Sequence, residues 1–466
     1  MKQYNLNTTY KSVLADTITP VSVYLKIRDK FPNSILLESS DYHTSDNSLS
    51  YICCNPIASF KVENNVIITH FPDGSSENHP IKKETSITNE ISNFMQKFSV
   101  NGPNLKFAYN GLFGFTSYEA IRYFEKIEIS KKDDSIVIPE MYYAIYQNVI
   151  AINHFNNEAF LFCHSISDYS NIDEMEQLLQ VKNFASFSFS KVGETVSNLT
   201  DENFKEQVTL AKKHCHRGDV FQLVLSRRFS QVFKGDEFNV YRALRNINPS
   251  PYLFYFDYGD FKLFGSSPEA HLIVKNGEAE IHPIAGTFKR TGNDENDAIQ
   301  AKKLAEDVKE NSEHVMLVDL ARNDLSRNCN QVKIEKYKEI QFFSHVIHLV
   351  SKVIGKLKPE AKTMDLVAST FPAGTLTGAP KHKAMQLIEK IENTNRSFYG
   401  GAIGFMDFSG NFNHAILIRT FMSKNHQLHY QAGAGIVESS SEENEMQEVY
   451  NKLNALNKAL EMAQKI

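Results

Sequence analysis

The sequence predicts an α+β fold. Short apolar runs punctuated by Gly, Asn, Asp and Ser read as antiparallel hairpins, and segments of helical period are mixed among them. No regular βαβ alternation occurs, which argues against a doubly wound parallel sheet. A chain of 466 residues exceeds the usual size of a single core, so two regions or one large composite domain are expected.

From the N-terminus, Ser59–Ser76 (SFKVENNVIITHFPDGSS) reads as a hairpin. Met141–Asn153 and Glu158–Ile166 are rich in aromatic and β-branched residues, and Asn156 and Asn157 between them supply a turn. The stretch Phe184–Asn198 is Ser-rich and lacks helical period; it reads as a connection, which places a boundary between regions 1–195 and 196–466. Beyond it, Asp201 can cap a helix whose apolar positions Phe204, Val208, Ala211 and Cys215 recur at helical spacing, with Gly218 at its end. The run DVFQLVLSRRFSQVF reads as a strand, and Asn296–Arg322 as one long helix. FKLFGSSP, EAEIHPIAGTFK, NFNHAILIRTFM and LHYQAGAGIV read as strands, and a terminal helix lies near Glu442–Ala463.

Composition excludes several functions. A formal charge of -5 offers no electrostatic footprint for nucleic acid, so a small anionic substrate needs a local basic pocket. Five cysteines without a CxxC pair argue against a disulfide framework and read as reduced thiols of a cytoplasmic protein. The first residues lack the apolar run of a secretory signal. No apolar stretch approaches the roughly 20 residues that cross a bilayer, so no membrane association is expected.

Two groups of residues carry chemistry. Glu310 and Glu313 share one face of a predicted helix, and Glu445, Glu448 and Lys452 share a face of the terminal one. Such acids usually form a solvated helix face. If the two helices converge, hard carboxylate oxygens without a thiolate favour Mg²⁺, completed by an anionic ligand. Glycines 433 and 435 let backbone amides face an oxyanion, and Arg419 can fork onto a carboxylate. Taken alone, the AGAG run reads as a strand-end turn, Arg419 as a surface ion pair and Tyr399 as a core aromatic.

A family resemblance weighs on these alternatives. The loop IHPIAGTFKRTG (Ile281–Gly292) resembles the chorismate-binding loop of anthranilate-forming enzymes, with Ala285 at its most diagnostic position. GSSPE (Gly265–Glu269), SEHVMLVDLARNDL (Ser312–Leu325), FSHVIHLVS (Phe343–Ser351), TFPAGTLTGAPK (Thr370–Lys381), YGGAIGF (Tyr399–Phe405) and QAGAGIV (Gln431–Val437) follow in the family's order. With LLESS (Leu36–Ser40) and NPSPYLF (Asn248–Phe254), nearly the whole chain resembles the synthase component of anthranilate synthase.

The resemblance implies the family's fold, a large antiparallel β-sandwich core flanked by helices. It implies a Mg²⁺-dependent lyase that converts chorismate and ammonia to anthranilate and pyruvate through an aminodeoxyisochorismate intermediate. Glu313 and Glu448 match the metal-binding positions, with Glu310 and Glu445 nearby. Gly286, Thr287, Tyr399, Arg419, Gly433, Ala434, Gly435 and Lys452 match chorismate-binding positions. Glu269 matches the general acid, Thr375 a catalytic position that also binds chorismate, and His348 is associated with elimination of the side chain. Glu38, Ser39, Pro251, Tyr252 and Leu253 match a site for tryptophan as feedback inhibitor, with Leu253 where the family writes Met.

Two positions separate relatives. Gln222 stands where water-adding relatives carry a lysine base, and a neutral amide cannot deprotonate water. Ala285 stands where aminodeoxychorismate synthases carry a nucleophilic lysine. No segment reads as a glutamine amidotransferase, so a separate glutaminase subunit and a hetero-oligomer are expected. The remaining alternatives are an aminodeoxychorismate synthase component on the p-aminobenzoate branch, and a tryptophan-binding protein without catalysis.

Overall fold

Asn64 and Asn65 both adopt positive φ, 52° and 60°, between the antiparallel strands Leu49–Glu63 and Val66–His70. That left-handed pair matches the twist of a two-residue hairpin turn, and Asn tolerates it better than most residues. Asn157 (φ 53°) serves the turn that joins Met141–Asn153 to Glu158–Ser165. Both predicted hairpins are therefore present. The computed structural model describes residues 2–39, 49–132, 136–342 and 346–466. Ser40 of LLESS, residues 343–345 of FSHVIHLVS and the side chain of Thr287 lie outside the described residues.

Two sheets diverge from the long paired strands Leu49–Glu63 and Met141–Asn153. The first runs from Leu49–Glu63 through Ile35–Glu38, Tyr252–Asp257, Phe261–Ser267, Thr420–Lys424 and Gln427–Ile436 to Gln222–Gly235. The second leaves Met141–Asn153 through Leu112–Thr116, Ala402–Met406, Phe412–Ile416, Ala270–Lys275 and Glu278–Ile281 to Val346–Leu357. Every one of these pairings is antiparallel. Phe254, Leu263 and Met422 of the first sheet meet Phe113, Ile403 and Ala415 of the second in an apolar middle layer.

Helices cover the outer faces. Asp201–His216, Phe238–Ile247 and Glu442–Ala463 bury Phe204, Val208, Leu244, Val449 and Leu453 against Leu225 and Tyr430 of the first sheet. Ile87–Gln96, Val308–Ser326 and Thr363–Thr370 bury Ile91, Phe94, Val318 and Leu366 against Leu272 and Val274 of the second. This is the predicted α+β sandwich with flanking helices.

Five local expectations differ from the structure. Phe189–Ser197 is not a connection but an edge strand paired with Gln222–Gly235, and the 195 boundary falls inside it. A bulge between Val192 and Val196, with Gly193 at φ 67°, hides the alternation that would have announced it. The helix Asp201–His216 is capped by Thr200, whose side chain accepts from Asn203, while Asp201 accepts from Tyr450 (2.7 Å). The run Asn296–Arg322 is two helices, Asp294–Glu306 and Val308–Ser326, because Asp307 (ψ 116°) ends one and caps the next by accepting the Glu310 N–H at 3.0 Å. EAEIHPIAGTFK is two strands, Glu278–Ile281 and Ile284–Lys289, parted at His282 and Pro283. NFNHAILIRTFM is two strands, Phe412–Ile416 and Thr420–Lys424, parted where Arg419 turns to φ 49°.

Asp307→Ala removes that second cap and is expected to destabilise the chain by about 1 kcal/mol, read as a lowered Tm. An unchanged Tm would mean that packing alone sets the break. All five cysteines are buried and unbonded, and no helix among the described residues is long and apolar enough to cross a membrane.

Candidate active site

The helices Val308–Ser326 and Glu442–Ala463 bring four carboxylates into mutual electrostatic reach. Burial pushes the Glu310 carboxyl above its ordinary range, and Glu313 and, across the gap, Glu448 push it further. Glu445 is raised by burial and by Glu448, and feels Lys309 of the other helix. Its Oε2 is buried without a hydrogen-bond partner. Like charges crowded round an orphaned carboxylate oxygen make a donor set suited to a hard divalent cation. Among the described residues no three of these groups close into a finished cage.

Gln222 and Lys452 tie this acidic face to the first sheet. Gln222 Nε2 donates to Glu313 Oε1 at 3.0 Å. Lys452 Nζ lies 2.7 Å from Glu448 Oε1 and donates to the Gly433 carbonyl at 2.8 Å. Gly433, Ala434 and Gly435 face Ser226, Leu225 and Val224 across the ladder. A Cβ on Gly433 would stand 2.9 Å from Tyr399 Oη, and one on Gly435 2.6 Å from Gln222 Nε2. Those two glycines therefore exist to let side chains lie against the strand.

On the second sheet, Gly286 sits at φ 66°, where a Cβ would meet Leu304 and come within 3.2 Å of Glu310 Oε2. Its carbonyl accepts from His348 Nδ1 at 2.7 Å, so that nitrogen carries the proton. Burial holds the imidazole below its usual pKa. Thr287 pairs with His348 along the backbone ladder, and the adjacent Ala285 is buried.

Glu269 follows the strand Phe261–Ser267. Its carbonyl accepts from Ile416, and its Oε1 accepts from Thr375 Oγ1 at 3.0 Å. Burial pushes its carboxyl up to about 7, opposed by the Thr375 hydroxyl and by the charges of Lys452 and Arg419. A part-buried acid titrating near neutrality beside two cations can deliver a proton to a leaving group. Arg419 is not a surface ion pair: burial lowers its pKa, Glu269 opposes the shift, and Nη1 donates to Asn248 Oδ1 at 3.2 Å. Asn248 was not singled out in sequence, because an Asn before Pro-rich turn residues reads only as a turn.

Leu36–Glu38 of LLESS lie elsewhere in the first sheet. Glu38 faces Leu253 across the ladder, and its buried carboxylate accepts from Tyr241 Oη at 2.5 Å and Arg245 Nε at 3.0 Å. Tyr252 is part-buried beside Leu253, and Pro251 precedes them at the strand's start. Ser39 follows Glu38 directly, after the strand's last residue. Tyr241 and Arg245, missed in sequence, stand four apart on the helix Phe238–Ile247, whose C-cap is Asn248. That helix joins the Glu38 carboxylate to the partner of Arg419.

Residues 32–458 match the chorismate binding enzyme family. The chain is 35% identical to an anthranilate synthase component 1 of Aquifex aeolicus (strain VF5), over 99% of this chain and 96% of that one. It is 36% identical to that of Lactococcus lactis subsp. lactis (strain IL1403), over 96% and 98%. The crystal structure of anthranilate synthase component I from Streptococcus pneumoniae TIGR4 superposes with a TM-score of 0.78 at 32% identity, covering 95% of this chain and 98% of that one. MenF, the menaquinone-specific isochorismate synthase from Escherichia coli, shares the fold at 16% identity, with a TM-score of 0.73 over 99% and 96%.

Proposed function

Because the chain belongs to the chorismate-binding enzymes, we propose that it is the synthase component of anthranilate synthase, converting chorismate and ammonia to anthranilate and pyruvate in tryptophan biosynthesis. The observation that carries the reading is the Glu269 carboxyl, raised to about 7 by burial, hydrogen-bonded by Thr375 and within electrostatic reach of Lys452 and Arg419. Ammonia adds at ring C2 as the C4 hydroxyl departs, and hydroxide leaves only when protonated, which a neutral Glu269 supplies. Arg419, Tyr399 and the glycine strand hold the substrate's carboxylates and ring, fixing the angle of attack. His348 enters the neutral base form needed for the later elimination that releases pyruvate and aromatises the ring.

Glu313 and Glu448, with Glu310 and Glu445 beside them, would hold Mg²⁺, which offsets charge at the ring carboxylate when bound. Gln222 spends its amide on Glu313 and has no base to offer water. Ala285 has no nucleophile, so the nitrogen comes directly from ammonia. A separate glutaminase subunit supplies it in the cytoplasm, and tryptophan binds at Glu38, Ser39 and Pro251–Leu253 to lower chorismate affinity. The helix from Arg245 to Asn248 supports a route for that coupling.

The test is product identification from chorismate, ammonium and Mg²⁺. Fluorescent anthranilate with pyruvate is expected; 4-amino-4-deoxychorismate would replace the reading by the p-aminobenzoate branch. Tryptophan binding without turnover would leave only a sensor. Gly435→Ala is expected to push the Gln222 amide off Glu313 with little loss of Tm, since the displaced atom ends a flexible side chain. The Mg²⁺ concentration for half-maximal rate should rise roughly 10- to 100-fold. An unaltered Mg²⁺ dependence would show that Gln222 does not orient Glu313.

A further inference from the structure

Behind the Tyr399 ring lies a buried ion pair to which no substrate contact has been assigned. Arg396 and Glu392 are 1% and 4% exposed, and the guanidinium forks onto the carboxylate through Nε (2.9 Å) and Nη2 (2.7 Å). The pair is built into two elements at once, the turn that ends at Leu376 and the strand Gln222–Gly235. Arg396 Nη1 donates to the Leu376 carbonyl at 2.6 Å, immediately after Thr375. Nη2 donates to the Val224 carbonyl at 2.8 Å, and Val224 faces Gly435 across the ladder. Glu392 Oε1 accepts from both the backbone N–H and the hydroxyl of Ser226, the residue opposite Gly433, at 2.8 Å each. Gln431 Nε2 donates to that same hydroxyl at 2.7 Å.

The guanidinium also lies over the Tyr399 ring, 5.6 Å from its centroid, and the Arg396 carbonyl accepts the Tyr399 N–H at 3.0 Å. A buried ion pair is a poor device for stability alone, because apolar residues of equal volume often do as well. Its particular capacity here is geometric: a rigid planar fork fixes two carbonyls and a ring in one frame.

We propose that Arg396, held by Glu392, is a positioning residue that sets Thr375 against the Glu269 carboxyl and Tyr399 against the glycine strand. The proposal rests on the chorismate-lyase reading for its assay but not for its geometry. Lysine in place of Arg396 keeps the charge and loses the fork. Arg396→Lys is therefore expected to lower kcat at least roughly tenfold with a smaller change in KM for chorismate. Because Thr375 stabilises the ionised Glu269, its release should also move the alkaline limb of the kcat–pH profile upward.

Two comparisons separate positioning from folding. The double variant Glu392→Met/Arg396→Met replaces the pair by apolar side chains of similar volume; its Tm is expected to return towards wild type while kcat stays low. Recovery of kcat together with Tm would overturn the proposal. In a Thr375→Val background, Arg396→Lys is expected to cost much less in kcat than it does alone; strictly additive losses would also overturn it. If the wild-type chain forms no anthranilate, the lyase reading fails separately. The same cycle is then read in chorismate affinity by calorimetry, where non-additive losses still uphold the frame and additive ones refute it.

Discussion

Glu269→Gln is expected to lower kcat about 10²- to 10⁴-fold, the range for removing a positioned general acid, with chorismate affinity little changed. Glutamine preserves the shape and can still accept from Thr375, so the loss isolates the proton. In the wild-type enzyme kcat should fall as pH rises through about 7, where burial places the Glu269 carboxyl and ionisation removes the acid. His348 stays neutral over this range, because burial holds it below its usual value. A variant retaining wild-type rate, or an alkaline limb unmoved from wild type in its residual activity, would remove Glu269 from the mechanism.

The same carboxyl has an opposite signature in stability. Its folded pKa lies above the unfolded value, so both states are protonated at low pH, and the native state alone keeps the proton between the ordinary Glu range and about 7. Stability therefore declines as pH rises across that window and levels off above it. Glu119, also raised to about 7 by burial, contributes a decline of the same sign without touching the rate. Glu269→Gln should flatten part of the stability slope, and the remainder is shared by Glu119 and the other buried carboxyls and imidazoles whose pKa values burial shifts.

Removal of Mg²⁺ is expected to abolish turnover, and Glu313→Ala or Glu448→Ala to reproduce most of that loss at ordinary Mg²⁺ concentration. Glu310 and Glu445 are already raised by burial and further by their neighbours' charge, and Glu445 Oε2 has no partner. A cation binding there relieves both, so adding Mg²⁺ should raise the Tm of metal-free protein by mass action, and less in either variant. Full activity in excess chelator, or an equal Tm response in wild type and Glu313→Ala, would show that these helices hold no catalytic metal.

Periodicity made much of this legible. Phe204, Val208, Ala211 and Cys215 all point inward as their spacing required, and the Asn-turn hairpins follow from residues that tolerate positive φ. Motif order assigned Glu269 and Thr375 to one site, and the structure joins them by a hydrogen bond. Phe189–Ser197 and Asp307 escaped because an edge strand with a bulge loses its alternation, and a helix break through a capping Asp keeps the helical period on both sides.

Local residue types thus determined the α+β class, the helix faces that carry acids and the glycines that admit close neighbours, since those properties act between near neighbours in the chain. Only the folded molecule decided that Gln222 holds Glu313, that Asn248 holds Arg419, and that Arg396 grips Leu376 and Val224 at once. Each of those contacts closes a loop of many residues with a polar group that any surface position would also accept. Only the paired sheets bring the partners within hydrogen-bond reach, and burial then makes each bond matter.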